Sequence, residues 1–350
     1  MLYTNSLWVD DLDKAINAFS GLNRLDGKTV LVTGATGLIC SAVVDLLLRY
    51  NDTHAGTISI LVAGRSIERL VSRFCENVER SDIQFLEYDS SKSNVLPSMN
   101  VDYIIHGASN ASPSKIMKEP VETMLSNFLG LKELMEFAIS NNTKRLLFIS
   151  SSEVYGGKDD SEPYKENQYG YIDLLQPRNS YSVSKRAAET LCISYAAEYD
   201  VNTVIVRPGH IYGPTASKDD NRVSSAWAYA VARGEDIIMK SDGSQIRSYC
   251  YCLDCATAIL RVLLDGKNTF AYNISNPRSI ISIREMAELL TRSAGVQLKC
   301  ELPTHEEKHS FNPMKNSSLN SSELESLGWK GIFDAEEGFS HTITILQGIV

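Results

Sequence analysis

Apolar residues in this chain gather into short unbroken runs separated by longer stretches of helical spacing. Thr29-Val30-Leu31-Val32, Thr57 to Ala63, Ile83 to Leu86, Val101 through Ile104-Ile105, Leu146 to Ile149 and Val204-Ile205-Val206 each read as a buried strand. The first run leads through glycines into a helix whose apolar positions include Val44, Leu47 and Leu48. After Tyr181 a second clear helix repeats through Ala187, Ala188, Leu191, Tyr195 and Ala196. Strand followed by helix, repeated, predicts βαβ units. Ahead of them Trp8, Leu12, Ile16 and Phe19 predict an amphipathic helix packed on the body or on a partner subunit. No internal repeat or low-complexity segment interrupts the pattern.

Candidate chemistry lies between Phe148 and Lys185. The strand ending at Ile149 runs into Ser150-Ser151-Ser152-Glu153, and Tyr181 and Lys185 stand four apart on the following helix. That spacing puts phenol and ammonium on one helix face. A cation beside a phenol favours the phenolate, and a nearby serine hydroxyl can orient the same substrate oxygen. The trio can take a proton from an alcohol while hydride leaves the same carbon. A place for the hydride acceptor lies upstream, where Thr33-Gly34-Ala35-Thr36-Gly37-Leu38-Ile39-Cys40 joins a strand to a helix. Glycines there let backbone approach a pyrophosphate at the helix N-terminus.

With both anchors in this order, residues 27–335 resemble the extended short-chain dehydrogenase/reductase family of nucleotide-sugar epimerases, dehydratases and decarboxylases. The resemblance implies an α/β fold, a Rossmann-like doubly wound parallel sheet with a smaller C-terminal substrate-binding region. It implies domains at 27–205 for the dinucleotide and the catalytic residues, and at 206–350 mainly for substrate, interwoven with the first, after a helical extension at 1–26. Catalysis would rest on Ser151, Glu153, Tyr181 and Lys185. Cofactor contacts would come from Gly34, Thr36, Gly37, Leu38 and Ile39, from Asp89-Ser90 near adenine, from Gly107-Ala108-Ser109, and from Tyr181, Lys185 and Pro208. Cys40 replaces the family's third glycine. The second strand ends in Gly64-Arg65 where NAD users carry an acid, so NAD, the family expectation, and NADP both stay open.

Within that family several segments are similar to UDP-glucuronate decarboxylases. Ser151-Ser152-Glu153 matches their Thr-Ser-Glu, whereas 4,6-dehydratases carry Thr-Asp-Glu with the aspartate as acid. His106 to Pro113, which includes Ser112, also matches, as do Tyr169-Gly170 and Pro177-Arg178 ahead of Tyr181. Substrate contacts implied in this way are Ser112, Ser152, Arg178, His210, Arg222 and Arg247. A planar guanidinium pairs bidentately with a diphosphate or with a hexuronate carboxylate. His210 stands in place of the family asparagine, and Asn316, beside Lys315, in place of a diphosphate-binding arginine. The expected reaction is transient oxidation at sugar C4 followed by loss of carbon dioxide. A 4,6-dehydratase or 4-epimerase is the alternative, and a catalytically silent nucleotide-binding protein a further one.

Composition narrows the partners. A net charge of −9 argues against nucleic acid and membrane surfaces as ligands. No apolar run reaches the roughly 18 residues of a membrane span. Seven cysteines without regular spacing fit a reducing, cytoplasmic setting. No metal is expected. Cys250-Tyr251-Cys252-Leu253-Asp254-Cys255 lacks a second cysteine pair and fits a buried strand-to-helix segment. His305-Glu306-Glu307-Lys308-His309 matches a zinc-protease pattern by letter, but in a wholly polar run after Pro303. The remaining partner expectations are a nucleotide sugar, UDP-linked by preference, and a second copy of the chain in a homodimer.

Overall fold

In chain order, helix α1 (Ser6–Ala18) precedes β1 (Thr29–Thr33), α2 (Leu38–His54), β2 (Ser59–Gly64), α3 (Ile67–Arg73), β3 (Ile83–Glu87) and β4 (Tyr103–His106). Then come α4 (Pro113–Lys118), α5 (Pro120–Asn141), β5 (Arg145–Ile149), α6 (Ser180–Tyr199) and β6 (Thr203–Pro208). The remainder comprises β7 (His210–Tyr212), α7 (Val223–Ala232), β8 (Ile237–Met239), β9 (Ile246–Tyr251), α8 (Cys252–Asp265), β10 (Ala271–Ile274), β11 (Ile280–Ser282), α9 (Ile283–Ala294), β12 (Leu298–Cys300), α10 (Ser322–Ser326) and α11 (Ala335–Gln347). This computed structural model describes residues 2–349 except 55, 95, 97, 159–160 and 302–313. The His305–His309 pattern and Asn312-Pro313 lie outside the described residues.

Seven strands form one sheet in the order β10-β6-β5-β4-β1-β2-β3, every neighbouring pair parallel. Connections leave β1 in both directions, so the topological switch point lies between β1 and β4. A doubly wound sheet opens its ligand crevice there, past the C-terminal strand ends. The strands read as unbroken apolar runs because both faces are covered. Val30 and Val32 pack with α2, α8 and α1 on one face, while Leu31 packs with α5 and α6 on the other. The same alternation places Leu147 and Ile149 on the first face and Leu146 and Phe148 on the second.

Residues after β6 contribute β10 to the large sheet and build two small ones. In the three-stranded sheet β9 lies between β11, antiparallel to it, and β7, parallel to it. The other small sheet pairs β8 with β12. The Cys250–Cys255 segment is the buried passage from β9 into α8, as its pattern suggested.

Helix α1 packs on this chain's own body. Its Asn5 cap accepts the Trp8 amide, and Trp8, Leu12 and Ile16 are buried. Trp8 Nε1 donates to Asp45 Oδ2 at 3.1 Å. Asp11 accepts from Tyr251 OH at 2.8 Å and faces His341 Nδ1 at 2.8 Å. The extension therefore ties α2, β9 and α11 together.

Candidate active site

β5 delivers its last residues to the C-terminal edge of the sheet, where the chain turns through Ser150 and Ser151 into the tight turn Ser152–Tyr155. Ser151 is extended, and its hydroxyl accepts the Glu153 amide at 3.2 Å. Opposite stands the first turn of α6. Tyr181 and Lys185 are one turn apart there, 6% and 2% exposed. Lys185 Nζ donates to the Ile149 carbonyl at 2.8 Å and lies 4.6 Å from the Phe148 ring centre. Lys185 Nζ also lies 5.8 Å from the Tyr181 ring centre, and the Ser151 hydroxyl acts on the Tyr181 phenol. Serine, tyrosine and lysine thus meet as the spacing implied.

Their electrostatics differ from the sequence expectation. Burial pushes the Tyr181 phenol up to about 12, and the Glu153 charge adds to the rise. The opposing influences are the Ser151 hydroxyl and the Arg222 and Arg178 guanidiniums. Burial brings the Lys185 ammonium down to about 7 against the pull of Glu189, and the Ile149 carbonyl holds it.

Arg178, in the turn before α6, grips Glu153 bidentately at 3.1 and 3.0 Å, and Ser182 Oγ donates to the same carboxylate at 3.0 Å. Arg222 is likewise engaged, by Asp220, which also accepts Ser225 Oγ at 3.0 Å. Two of the three arginines expected to meet substrate are therefore paired with carboxylates of their own chain. Arg247 is not. Only 4% exposed on β9, it donates to the carbonyls of Ile246 and Met314 at 2.8 and 3.1 Å, and no carboxylate pairs with it among the described residues. Ser112 Oγ donates to Asn221 Oδ1 at 3.0 Å, joining the loop before α4 to the loop before α7. His210 is half-buried on β7, and Ser152 is half-buried in the turn after β5. Asn316 Nδ2 donates to the carbonyl of Ser161.

At the other end of the crevice Gly34 turns the chain with φ of +70°. A Cβ there would fall 2.8 Å from the backbone of Gly107 and Ala108, so only glycine lets the two loops close. Cys40 is accommodated through Gly107. A Cβ on Gly107 would lie 2.3 Å from Cys40 Sγ, so the room lost at one position is recovered at the other. Thr36, Gly37, Leu38 and Ile39 form the turn and the helix start. Within α2 the Ser41 amide bonds back to the Gly37 carbonyl, leaving the Leu38, Ile39 and Cys40 amides without carbonyl partners among the described residues. In the β4 exit loop Ser109 Oγ is buried without a partner. Orphan donors at a helix start and an orphan hydroxyl fit a dinucleotide. Pro208 ends β6, buried. Arg65 is exposed at the end of β2. Asp89 is occupied within its own turn by the Ser91 amide and hydroxyl at 3.1 and 2.7 Å, and Ser90 packs under Gly130.

One feature escaped sequence reasoning. A buried network lies beneath Ser151. Arg207, 2% exposed, bonds Glu189 at 2.9 and 2.6 Å and reaches Tyr155 and Tyr169, while Ser150 Oγ donates to Glu189. The signal was present: Glu189 follows Lys185 by four on one helix face, and Arg207 interrupts an apolar strand. At the buried end of β4, His106 Nδ1 meets Thr33 Oγ1 at 2.7 Å. Burial drives this imidazole down to about 3, which makes it a neutral structural group. Among the described residues no cluster of potential ligands is arranged to hold a metal ion.

Comparison with known proteins agrees with this geometry. The profile of the NAD dependent epimerase/dehydratase family matches residues 30–275. UDP-glucuronic acid decarboxylase 1 of Xenopus tropicalis is 27% identical over 328 residues, which are 92% of this chain and 73% of that protein. UDP-glucuronic acid decarboxylase 6 of Arabidopsis thaliana is 29% identical over 309 residues, 88% of this chain and 86% of the relative. Among solved structures, UDP-glucose 4-epimerase of Thermotoga maritima with UDP-glucose superposes with a TM-score of 0.75 at 22% identity, covering 91% of this chain and 99% of the other. The dTDP-glucose 4,6-dehydratase of Bacillus anthracis in complex with NAD gives 0.74 at 18%, covering 92% and 97%. These two likenesses are of fold.

Proposed function

The chain belongs to the NAD dependent epimerase/dehydratase family, and from that premise we propose that it oxidises a nucleotide sugar transiently at C4 and decarboxylates a nucleotide-linked hexuronate, UDP-glucuronate first. The observation that carries the choice of an acidic sugar is Arg247, a buried guanidinium with no carboxylate of its own among the described residues. A buried cation seeks an anion, and a hexuronate carboxylate supplies one. Ser152, where dehydratases carry aspartate, leaves no acid in place to expel a hydroxyl.

Tyr181 takes the C4 hydroxyl proton, with Ser151 sharing a hydrogen bond to the same oxygen and Lys185 beneath it. A bound nicotinamide supplies the hydride acceptor. The C4 ketone is then β to the carboxylate that Arg247 holds, so the C–C bond electrons enter the carbonyl as carbon dioxide leaves. A proton replaces it on carbon, and Glu153 with Ser152 helps to position the sugar or to handle that proton. Gly34 to Ile39, Ser109 and Pro208 hold the dinucleotide. At the end of β2 Arg65 and the absence of an acid admit a 2′-phosphate, so NADP is a candidate beside NAD, and thermal shifts with each read the choice.

Mass spectrometry of the protein incubated with UDP-glucuronate and each dinucleotide tests the reading. Loss of the mass of carbon dioxide supports it. An untouched hexuronate together with loss of water from a neutral nucleotide hexose would replace it with dehydration.

A homodimer and a cytoplasmic setting complete the proposal. Val121, Met124, Leu125, Phe128 and Leu129 form an exposed apolar face on α5, beside Ile193 and Tyr199 of α6. Two such helix pairs bury each other in an isologous contact. None of the seven cysteines is in a disulfide, and no helix among the described residues is long and apolar enough to cross a membrane.

A further inference from the structure

Ser182 follows the candidate base directly on α6, and its hydroxyl bonds outside its own helix. Its Oγ donates to Glu153 Oε2 at 3.0 Å, and Ser182 itself is 5% exposed. Oε2 also takes Arg178 Nη1 at 3.1 Å, whereas Oε1 takes only Arg178 Nη2, at 3.0 Å, among the described residues. An ionised carboxylate offers about four acceptor sites, two on each oxygen. Three are engaged by these donors, and the remaining one belongs to Oε1.

Arg178 alone does not fix that geometry. Its guanidinium ends a long stem in the short turn Pro177–Asn179 and is half-exposed, so fork and carboxylate can swing together. Ser182 has a single side-chain torsion and sits in the first turn of α6, the turn that carries Tyr181. The backbone of the Glu153 turn is held from the same helix. Arg186 Nε donates to the Val154 carbonyl at 2.6 Å, and its Nη2 to the Tyr155 carbonyl at 3.1 Å. The Glu153 amide in turn donates to Ser151 Oγ at 3.2 Å. Helix α6 therefore sets both the backbone and the side chain of Glu153 against the phenol.

We propose that Ser182 is a positioning residue for the sugar: by pinning Oε2 to α6 it leaves Oε1 to accept one sugar hydroxyl, which fixes the orientation of the ring over Tyr181. The inference rests on the nucleotide-sugar reading above and adds the residue that decides which face of Glu153 the sugar meets. Ser182 acts through that carboxylate and exchanges no proton with the sugar. The nucleotide end of the ligand supplies binding that does not depend on this contact, so losing it lowers rate more than affinity. A displacement of about 1 Å at a reacting centre costs about 10²-fold.

The test is a double-mutant cycle of Ser182→Ala and Glu153→Ala with UDP-glucuronate, product read by mass and affinity by calorimetry. Ser182→Ala should lower kcat by about 10–10²-fold while the dissociation constant stays within about twofold of wild type. In the Glu153→Ala background, removing Ser182 as well should change kcat by less than about twofold. Ser182→Thr, which keeps the hydroxyl, should recover most of the loss; where its methyl does not fit and the protein fails to fold, the cycle decides alone. Additive losses in the double variant overturn the proposal, as does a Ser182→Ala kcat equal to wild type. A lower kcat that only follows a smaller folded fraction, read from thermal melting, overturns it too. Nicotinamide absorbance separates the two readings. A wild type that oxidises neutral UDP-glucose but leaves the hexuronate intact loses the decarboxylation, and the same cycle run on the oxidation rate then decides Ser182. Absence of oxidation of any UDP-, dTDP- or GDP-sugar removes both.

Discussion

Arg178 holds Glu153 through both arms of its guanidinium, Nη1 to Oε2 at 3.1 Å and Nη2 to Oε1 at 3.0 Å, at the rim of the crevice above Tyr181. The two charges act on the phenol in opposite directions: Glu153 raises its pKa and Arg178 lowers it. The pair is also half-exposed, so each effect belongs at the low end of the usual range.

As a base Tyr181 works deprotonated, so activity should rise with pH toward its pKa. Glu153→Gln should move that rising limb to lower pH and Arg178→Met to higher pH, each by about one unit. The limb is read from kcat/KM against pH. Coincident profiles would remove both residues from control of the phenol.

Tyr181→Phe keeps the ring in its pocket and removes the proton acceptor. Turnover should fall by about 10²–10⁴-fold while NAD still raises the melting temperature. Unchanged turnover would show that another group takes the proton.

Cys40 and Gly107 share one space. Gly107→Ala should destabilise by about 1–3 kcal/mol, because the new methyl meets Cys40 Sγ. Adding Cys40→Gly should return part of that loss, measured by urea unfolding. Independent, additive effects would contradict the contact.

Removing one partner of the buried Arg207–Glu189 pair should cost about 3–5 kcal/mol, since the other charge stays in the core. Glu189→Ala is expected to lower the urea midpoint accordingly, and a loss below about 1 kcal/mol would mean that Arg207 finds another anion or water.

His341 and Asp11 fasten α11 to α1 at 2.8 Å. The Asp11 hydrogen bond, the largest influence, raises the His341 pKa above its ordinary value. A raised histidine contributes stability fully present below its unfolded pKa, about 6.5, and lost as pH climbs through the folded value. Wild-type Tm should therefore drop from about pH 6 to about pH 8.5 more than that of His341→Gln. Parallel curves would dissociate the pair from stability.

Sequence alone determined what depends on local order. Apolar runs at β1, β2, β4, β5 and β6 set the strands because burial on both faces leaves no polar position to interrupt them. Tyr181 and Lys185 share a face because the helical repeat requires it, and the glycines at 34 and 37 mark a turn that no side chain fits. Tertiary structure decided what depends on neighbours distant in sequence. Whether Arg178 and Arg222 stand open to a ligand was settled by Glu153 and Asp220, and whether Cys40 could replace glycine by Gly107 across the sheet. The charge states followed the same rule. Tyr181 rises and Lys185 falls because burial costs each its ionised form, and burial is a property of the packed core that no spacing of residues records.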